Sequence, residues 1–426
     1  MFFDDAHIAS RELDITLTGR DGGAEERIPM CGVPHHSAEN YIHRLVDKGY
    51  KVAICEQVEN PAEAKGVVRR EIVRIVTPGT LMEGKGLQDA GNTFIVCASA
   101  ADNRYGLAAC DLSTGELLVT SIEPSDELLL DELFVLRPVE LIGDEALLEA
   151  ATGALPQGAK PLRIEAWSAS DDALYEEKFP AEERQALHPS ASKAVTLLLT
   201  FLHTTQKRTL AHIRRLNVYE PQQYMILDPF TRRNLELTET VRDRSRNGTL
   251  LWLLDRTVTS MGARLLKRWI EKPLMSIARI EERLEAVDAL GSNLIARSDI
   301  RTSLKEIYDL ERLVGRIAYG NANARDLIAL RKSLEQVPGL IAFSRESGSA
   351  TLDKLVSTAD DCGDIRGWIE SAIDEEAPVS IREGGMIKRG YDERLDRFRE
   401  ASAGGKQWMA ELERAGGAEG WVITQN

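Results

Sequence analysis

The sequence predicts a multidomain chain, mixed α/β in its first half and all-α in its second. Three observations predict it. At 426 residues the chain is long enough for about two to four separate cores. Apolar residues alternate with polar ones in short runs between turn signals in the first third, whereas from Tyr224 onward they recur only at helical spacing. Aromatic residues are sparse at 6% and charged residues reach 28%, a mix that favours helices over a β-sandwich.

Residues 1–77 read as a small mixed α/β unit. A helix is expected to run through Asp4 and end at Leu13. Ile15-Thr16-Leu17-Thr18 is a short strand, and Gly19-Arg20-Asp21-Gly22-Gly23 is the turn after it. Ser37 is placed to cap a helix with Tyr41 and Leu45 on one face, and Gly49 suits the residue after its end. Lys51-Val52-Ala53-Ile54-Cys55 and Glu71-Ile72-Val73-Arg74-Ile75-Val76 follow as strands. Residues 78–91 are Gly-rich and polar and read as a linker.

Residues 92–222 open with strands at 93–98, 105–110 and 116–120, separated by turns at Asp102-Asn103 and Ser113-Thr114-Gly115. Ser125 caps a helix that Pro138 stops, and residues 139–142 form a fourth strand. Three antiparallel strands, a helix and a further strand predict a ribonuclease H-like α/β domain, closed by an apolar helix over 193–203. Residues 223–414 are helical. Ser276 starts a helix with Ile277, Ile280, Leu284, Val287 and Leu290 on one face, ending at Gly291. Ser303 and Glu306 read as a capping box before Ile307, Leu310, Val314 and Ile317. Asn323 starts the next helix, and Pro338 is expected to end it.

Composition excludes several classes. No apolar run reaches the length of a membrane span. The opening Met1-Phe2-Phe3-Asp4-Asp5 has no secretory n-region. The cysteines (Cys31, Cys55, Cys97, Cys110, Cys362) include no CxxC pair, so free thiols in a reducing cytoplasm are expected, with no metal. The net charge of −15 argues against nucleic acid, but binding depends on local patches, and residues 206–248 carry nine basic and five acidic side chains. Gly404-Gly405-Lys406-Gln407 lacks the spacing and hydroxyl of a phosphate-binding loop, so no ATP site is expected in this chain. Asp111, Asp131 and Glu140 could hold metal ions for a nuclease, but the following Ser113-Thr114-Gly115 favours a strand-end turn at Asp111. His35 and His36 lack further ligands at metal spacing.

Several long stretches resemble the MutS mismatch repair family. They are Ile28-Pro29-Met30-Cys31-Gly32-Val33-Pro34-His35-His36-Ser37-Ala38-Glu39-Asn40-Tyr41, Val52-Ala53-Ile54-Cys55-Glu56-Gln57, Lys65-Gly66 and Arg74-Ile75-Val76-Thr77-Pro78-Gly79-Thr80. Further on are Thr231-Arg232-Arg233-Asn234-Leu235-Glu236-Leu237 and the run from Leu254 to Trp269. The resemblance implies a mismatch-binding domain (1–77), a connector (92–222) and the first half of a helical core or lever (223–414). It implies double-stranded DNA with mismatches or small loops as ligand, MutL as partner and self-association. The family uses ATP and Mg in a C-terminal domain. Its Phe-x-Glu reader aligns just before Met1, and its clamp begins near where this chain ends. An unstacked mismatch costs less to kink, which is how such proteins discriminate.

Residues 415–426 read as a non-family tail. Shifting the frame of Gly420-Trp421-Val422-Ile423-Thr424 by one base lets it encode Val-Gly-Tyr-Asn, typical of the family's clamp, so a frameshift near residue 415 is expected. By resemblance, Arg20 matches a position that contacts the DNA backbone, with His35, His36 and Lys65 as further candidates on that surface. No catalytic residue transfers. The alternatives are a free-standing DNA-binding or MutL-docking module, or a metal-dependent nuclease on the ribonuclease H-like domain.

Overall fold

The computed structural model describes residues 1–20, 27–59, 68–81, 91–152 and 162–405. Lys65, Lys406, Gln407, residues 82–90 and the tail 415–426 lie outside them. The chain is mixed α/β in its N-terminal region and largely helical in its C-terminal region.

The first unit contains α1 (Phe3–Leu13), β1 (Thr18–Arg20), β2 (Ile28–Met30), α2 (Ala38–Asp47), β3 (Val52–Gln57) and β4 (Arg70–Val76). β1 pairs with β2 and β3 with β4, both antiparallel. Ala6, Ala9 and Leu13 of α1 bury against Cys31 and Leu45. Two local expectations change and one holds. The strand expected at Ile15 begins only at Thr18, so Arg20 is a strand residue paired with Ile28 rather than a turn residue. Ser37 makes no cap bond, because its hydroxyl turns back to the Pro34 carbonyl at 3.1 Å within a 3-10 turn, His35–Ser37. Gly49 does follow the helix end, at φ +90°.

The middle unit is a six-stranded sheet. It contains β5 (Ile95–Ala101), β6 (Arg104–Asp111), β7 (Glu116–Ile122), α3 (Asp126–Leu136), β8 (Glu140–Gly143), α4 (Glu145–Thr152), β9 (Arg163–Ala166), α5 (Asp172–Lys178), α6 (Ala181–Gln185), α7 (Pro189–Gln206) and β10 (Asn217–Val218). The order is β10-β7-β6-β5-β8-β9, with β6 antiparallel to β5 and β7, and β5, β8 and β9 mutually parallel. Alternation along the strands feeds two cores. Ile95, Cys97, Ala108, Cys110 and Ile142 meet Val195, Leu198, Phe201 and Leu202 of α7. Val96, Ala98, Leu107, Ala109 and Leu141 meet Leu129 and Leu133 of α3 and Leu147 and Leu148 of α4. α7 reaches the sheet this closely because position 106 is glycine: a Cβ there would overlap the Ser190 carbonyl. Ser125 caps α3 as expected.

The helical unit contains α8 (Pro229–Asn234), α9 (Leu250–Leu254), α10 (Ser260–Glu271), α11 (Ile277–Ser292), α12 (Leu294–Lys305), α13 (Leu310–Tyr319), α14 (Ala324–Glu346), α15 (Ala350–Val356) and α16 (Gly363–Ala372). Ser276 caps α11, and Asn323 with Asp326 forms a full capping box on α14. The box expected at Ser303 and Glu306 does not form. Ser303 lies inside α12 and Glu306 follows its end, while Asp309 caps α13 through Arg312 N–H. Pro338 lies within α14 rather than ending it. A proline removes one helix hydrogen bond, and the packing of α14 against α12, α13, α15 and α16 outweighs that loss.

Candidate nucleic-acid interface

The β1–β2 hairpin positions the best candidate. Antiparallel pairing fixes Thr18 against Met30 and Arg20 against Ile28, and the Thr18 hydroxyl donates to the Met30 carbonyl at 2.9 Å. Met1 and Phe2 run beside the other edge of β2: Met1 N donates to Cys31 O at 3.0 Å, and Cys31 N donates back at 3.1 Å. Arg20 therefore sits at one end of a fixed ribbon. Its side chain is exposed and has no hydrogen bond or ion pair among the described residues. A guanidinium held by strand pairing and left unpaired can donate to a phosphate without first breaking a salt bridge.

His35 is exposed at the start of the 3-10 turn that leads into α2. His36 occupies the same turn. No hydrogen bond joins His35 to Arg20 among the described residues. The sequence thus places two of its four candidates on the unit's surface, and Lys65 lies outside the described residues.

The structure does not assemble the carboxylates considered for a nuclease. Ile95 pairs with Cys110 on one side and Glu140 on the other, so these three side chains leave the sheet on the α7 face. Asp111, the next residue along β6, leaves on the opposite face. Its Oδ1 accepts from Ser113 N at 3.0 Å and Ser113 Oγ at 2.7 Å, and its Oδ2 accepts from Asn92 and Thr93. Asp131 lies on α3 and belongs to neither group. Asp111 is a turn residue with its acceptors in use. Among the described residues no cluster of three His, Cys, Asp or Glu could hold a metal ion.

Sequence reasoning missed the joints that orient the hairpin unit. Thr77, and Gly79 and Thr80 of the 3-10 turn Pro78–Thr80, are buried on the middle sheet. Glu140 Oε2 accepts from the Thr77 hydroxyl at 2.6 Å and Gly79 N at 3.4 Å, while Oε1 faces Arg163 Nε at 3.2 Å. A side chain at position 79 would overlap Ile95, so glycine is required there. Burial pushes the Glu140 carboxyl above its ordinary range, against the opposing pull of Thr77 and Arg163. The segment read as a linker thus begins as a buried plug.

A second joint holds the middle unit to the helices around a cleft of about 280 Å3. Arg268 of α10 pairs with Glu116 at 2.6 Å, and Lys272 pairs with Glu132 of α3 at 3.0 Å. Tyr219 donates to the same Glu132 oxygen at 2.7 Å, and the Lys272 ammonium lies 3.9 Å from its ring centroid. Burial raises the Tyr219 hydroxyl well above its ordinary value and lowers the Lys272 ammonium, with Glu132 opposing the latter. Only a run of unlike charges far apart in sequence marks these pairs, and spacing gives no sign of them.

Comparison with known proteins follows the same three units. Family profiles match residues 1–85 as MutS domain I, residues 93–214 as MutS domain II and residues 230–416 as MutS domain III. A DNA mismatch repair protein MutS of Brevibacillus brevis is 53% identical over 414 residues, covering 97% of this chain and 47% of the relative. The MutS proteins of Bacillus subtilis and Geobacillus thermodenitrificans are 47% and 49% identical, over 97% of this chain and 47% and 45% of their own lengths. The chain spans about half the length of the curated relatives it matches. With three family domains in order along nearly its whole length, the chain belongs to the MutS family of DNA mismatch repair proteins.

Proposed function

We propose that this chain serves mismatch recognition in DNA repair, supplying a DNA-facing unit and the scaffold that orients it. The co-linear match to MutS domains I, II and III carries the reading. Its ligand is double-stranded DNA containing mismatches or small loops. MutL and a second copy of the chain are its expected partners, in the cytoplasm. Among the described residues no helix is long and apolar enough to cross a membrane. The strand order of the middle sheet, with one antiparallel strand beside three mutually parallel ones, supports the ribonuclease H-like reading of residues 92–222. The helices from residue 229 onward support a core or lever over 223–414, with 1–77 as the mismatch-binding unit.

ATP and Mg enter this reading through full-length relatives. The residues of this chain do not fit them, since Gly404-Gly405-Lys406-Gln407 lacks the hydroxyl and spacing of a phosphate loop. No hydrolytic step is assigned to it.

Arg20 is the proposed backbone contact, with His35 and His36, in the turn that enters α2, as further candidates. A phosphate contact sets position and adds affinity without reading bases. Arg20→Ala is expected to weaken binding to a G·T heteroduplex and to the matched duplex alike in an electrophoretic shift. It should lower the salt slope by about one. A loss confined to the mismatched duplex would overturn this role.

A further inference from the structure

Gln206 is the last residue of α7 and is fully buried. Its amide bridges two other units. Nε2 donates to the Ile75 carbonyl of β4 at 3.1 Å, and Oε1 accepts from the hydroxyl of Tyr319, the last residue of α13. The orientation is forced, because a backbone carbonyl only accepts and so must face the NH2 group. The Thr205 hydroxyl, 3.1 Å away, takes the other NH2 hydrogen. Both amide hydrogens and the amide oxygen are thus engaged.

The residues on either side explain how one chain position reaches both neighbours. Lys207 adopts the left-handed conformation at φ +50°, which ends α7 and turns the backbone. Arg208 then reaches α13, with its guanidinium 5.1 Å from the Tyr319 ring centroid. Its Nη1 donates to the Tyr319 carbonyl and, at 3.3 Å, to Asn321 Oδ1. A cation at a helix C-terminus is favoured by the carbonyls exposed there. Tyr319 itself is 1% exposed and packs into the α7 side of the middle core. Burial raises its hydroxyl to about 12, so it stays a donor at physiological pH.

The other joints are pairwise: Glu140 ties the first unit to the middle one, and Arg268 and Lys272 tie the middle one to the helices. We infer that Gln206 is a three-way positioning residue, whose amide couples the placement of β4 in the DNA-facing unit to the end of α13 in the helical unit. If Tyr319 withdraws, Oε1 is buried without a donor. The amide is then anchored from one side only, and its bond to Ile75 loosens. A displacement of α13 is thereby felt at β4, although no residue of one touches the other through this link. This inference does not depend on the DNA-binding reading, and its test contains no DNA.

The test is amide hydrogen exchange on the whole chain. Tyr319→Phe removes one oxygen, whose hydrogen bond goes to Gln206 and not to β4. Protection of the β3–β4 amides is expected to fall about tenfold, the worth of one lost hydrogen bond, while the β5–β6 amides hold. Gln206→Leu should lower β3–β4 protection at least as much, and adding Tyr319→Phe to it should change nothing further. Unchanged β3–β4 protection in Tyr319→Phe overturns the inference. So does an equal fall in β5–β6, which would mean general loosening of the core, and so does additivity of the two substitutions.

Discussion

α7 and α11 are of similar length and both carry a run of aliphatic residues, yet they meet opposite fates. Of the 18 residues in α7, 13 are buried, between the sheet and α5. Of the 16 in α11, none is buried, and Ile277, Leu284 and Val287 are 73%, 58% and 62% exposed. Among the described residues α11 meets α12 and α15, and its clearest contacts are polar. Glu285 accepts from Ser349 Oγ at 2.9 Å and Thr351 N at 3.2 Å at the start of α15. An apolar stripe offers burial, but a facing surface has to accept it.

The helical unit is held differently in consequence. Its apolar cluster is small, built on Leu313, Leu330, Leu334 and Ile369. Charged pairs do more of the joining. Arg264 of α10, 3% exposed at its side chain, donates to both oxygens of Asp309, at 2.6 and 2.8 Å, and to Glu311 at 2.6 Å. Burial opposes ionisation of Asp309, but Arg264 outweighs it and holds the carboxyl below its ordinary value.

The contrast can be broken most directly at Phe201. It is fully buried on α7 and meets Trp167 edge-on at 5.2 Å between centroids. Phe201→Ala should cost about 3–5 kcal/mol, read as a lower denaturant midpoint for the sheet. A cost below about 1 kcal/mol would mean that α7 is no better anchored than α11.

Asp309→Asn should cost less, about 2 kcal/mol at neutral pH, because one face of the pair reaches water. The sign with pH follows from the depressed folded value. The charged carboxylate's contribution is complete above the ordinary range near about 4 and is lost as pH falls through the folded value. Thermal unfolding of the two proteins should therefore differ at pH 7 and converge only in acid. A gap that does not change down to about pH 3 would remove the ion pair from the explanation.

Leu284→Ala should do least, within about 0.5 kcal/mol, since the side chain leaves little contact behind. A loss of about 2 kcal/mol or more would show that the α11 stripe is covered in solution, which would bring the two helices back together.

How much of this was legible depends on the range of the interaction. Ser125, Ser276 and Asn323 cap their helices as read, because capping is settled within four residues. The meander of β5, β6 and β7 was legible from its turns. Ser303 was misread because Asp309, fixed from 45 residues away by Arg264, takes the capping role for α13. Pro338 was misread because tertiary packing carries α14 through it. Arg20 was not legible as a strand residue, since its partner Ile28 lies further along the chain.

The sequence by itself determined the division into α/β and helical halves, most helix starts, the alternation that fills both faces of the sheet, and the family. Each rests on periodicity or on contacts a few residues apart. Tertiary structure alone decided that Glu140 receives Thr77, that Asp111 and Glu140 face away from each other, that Gln206 meets both Ile75 and Tyr319, and that α11 stays bare among the described residues. Those outcomes depend on which distant surfaces meet, and a side chain's polarity carries no record of the partner it will find.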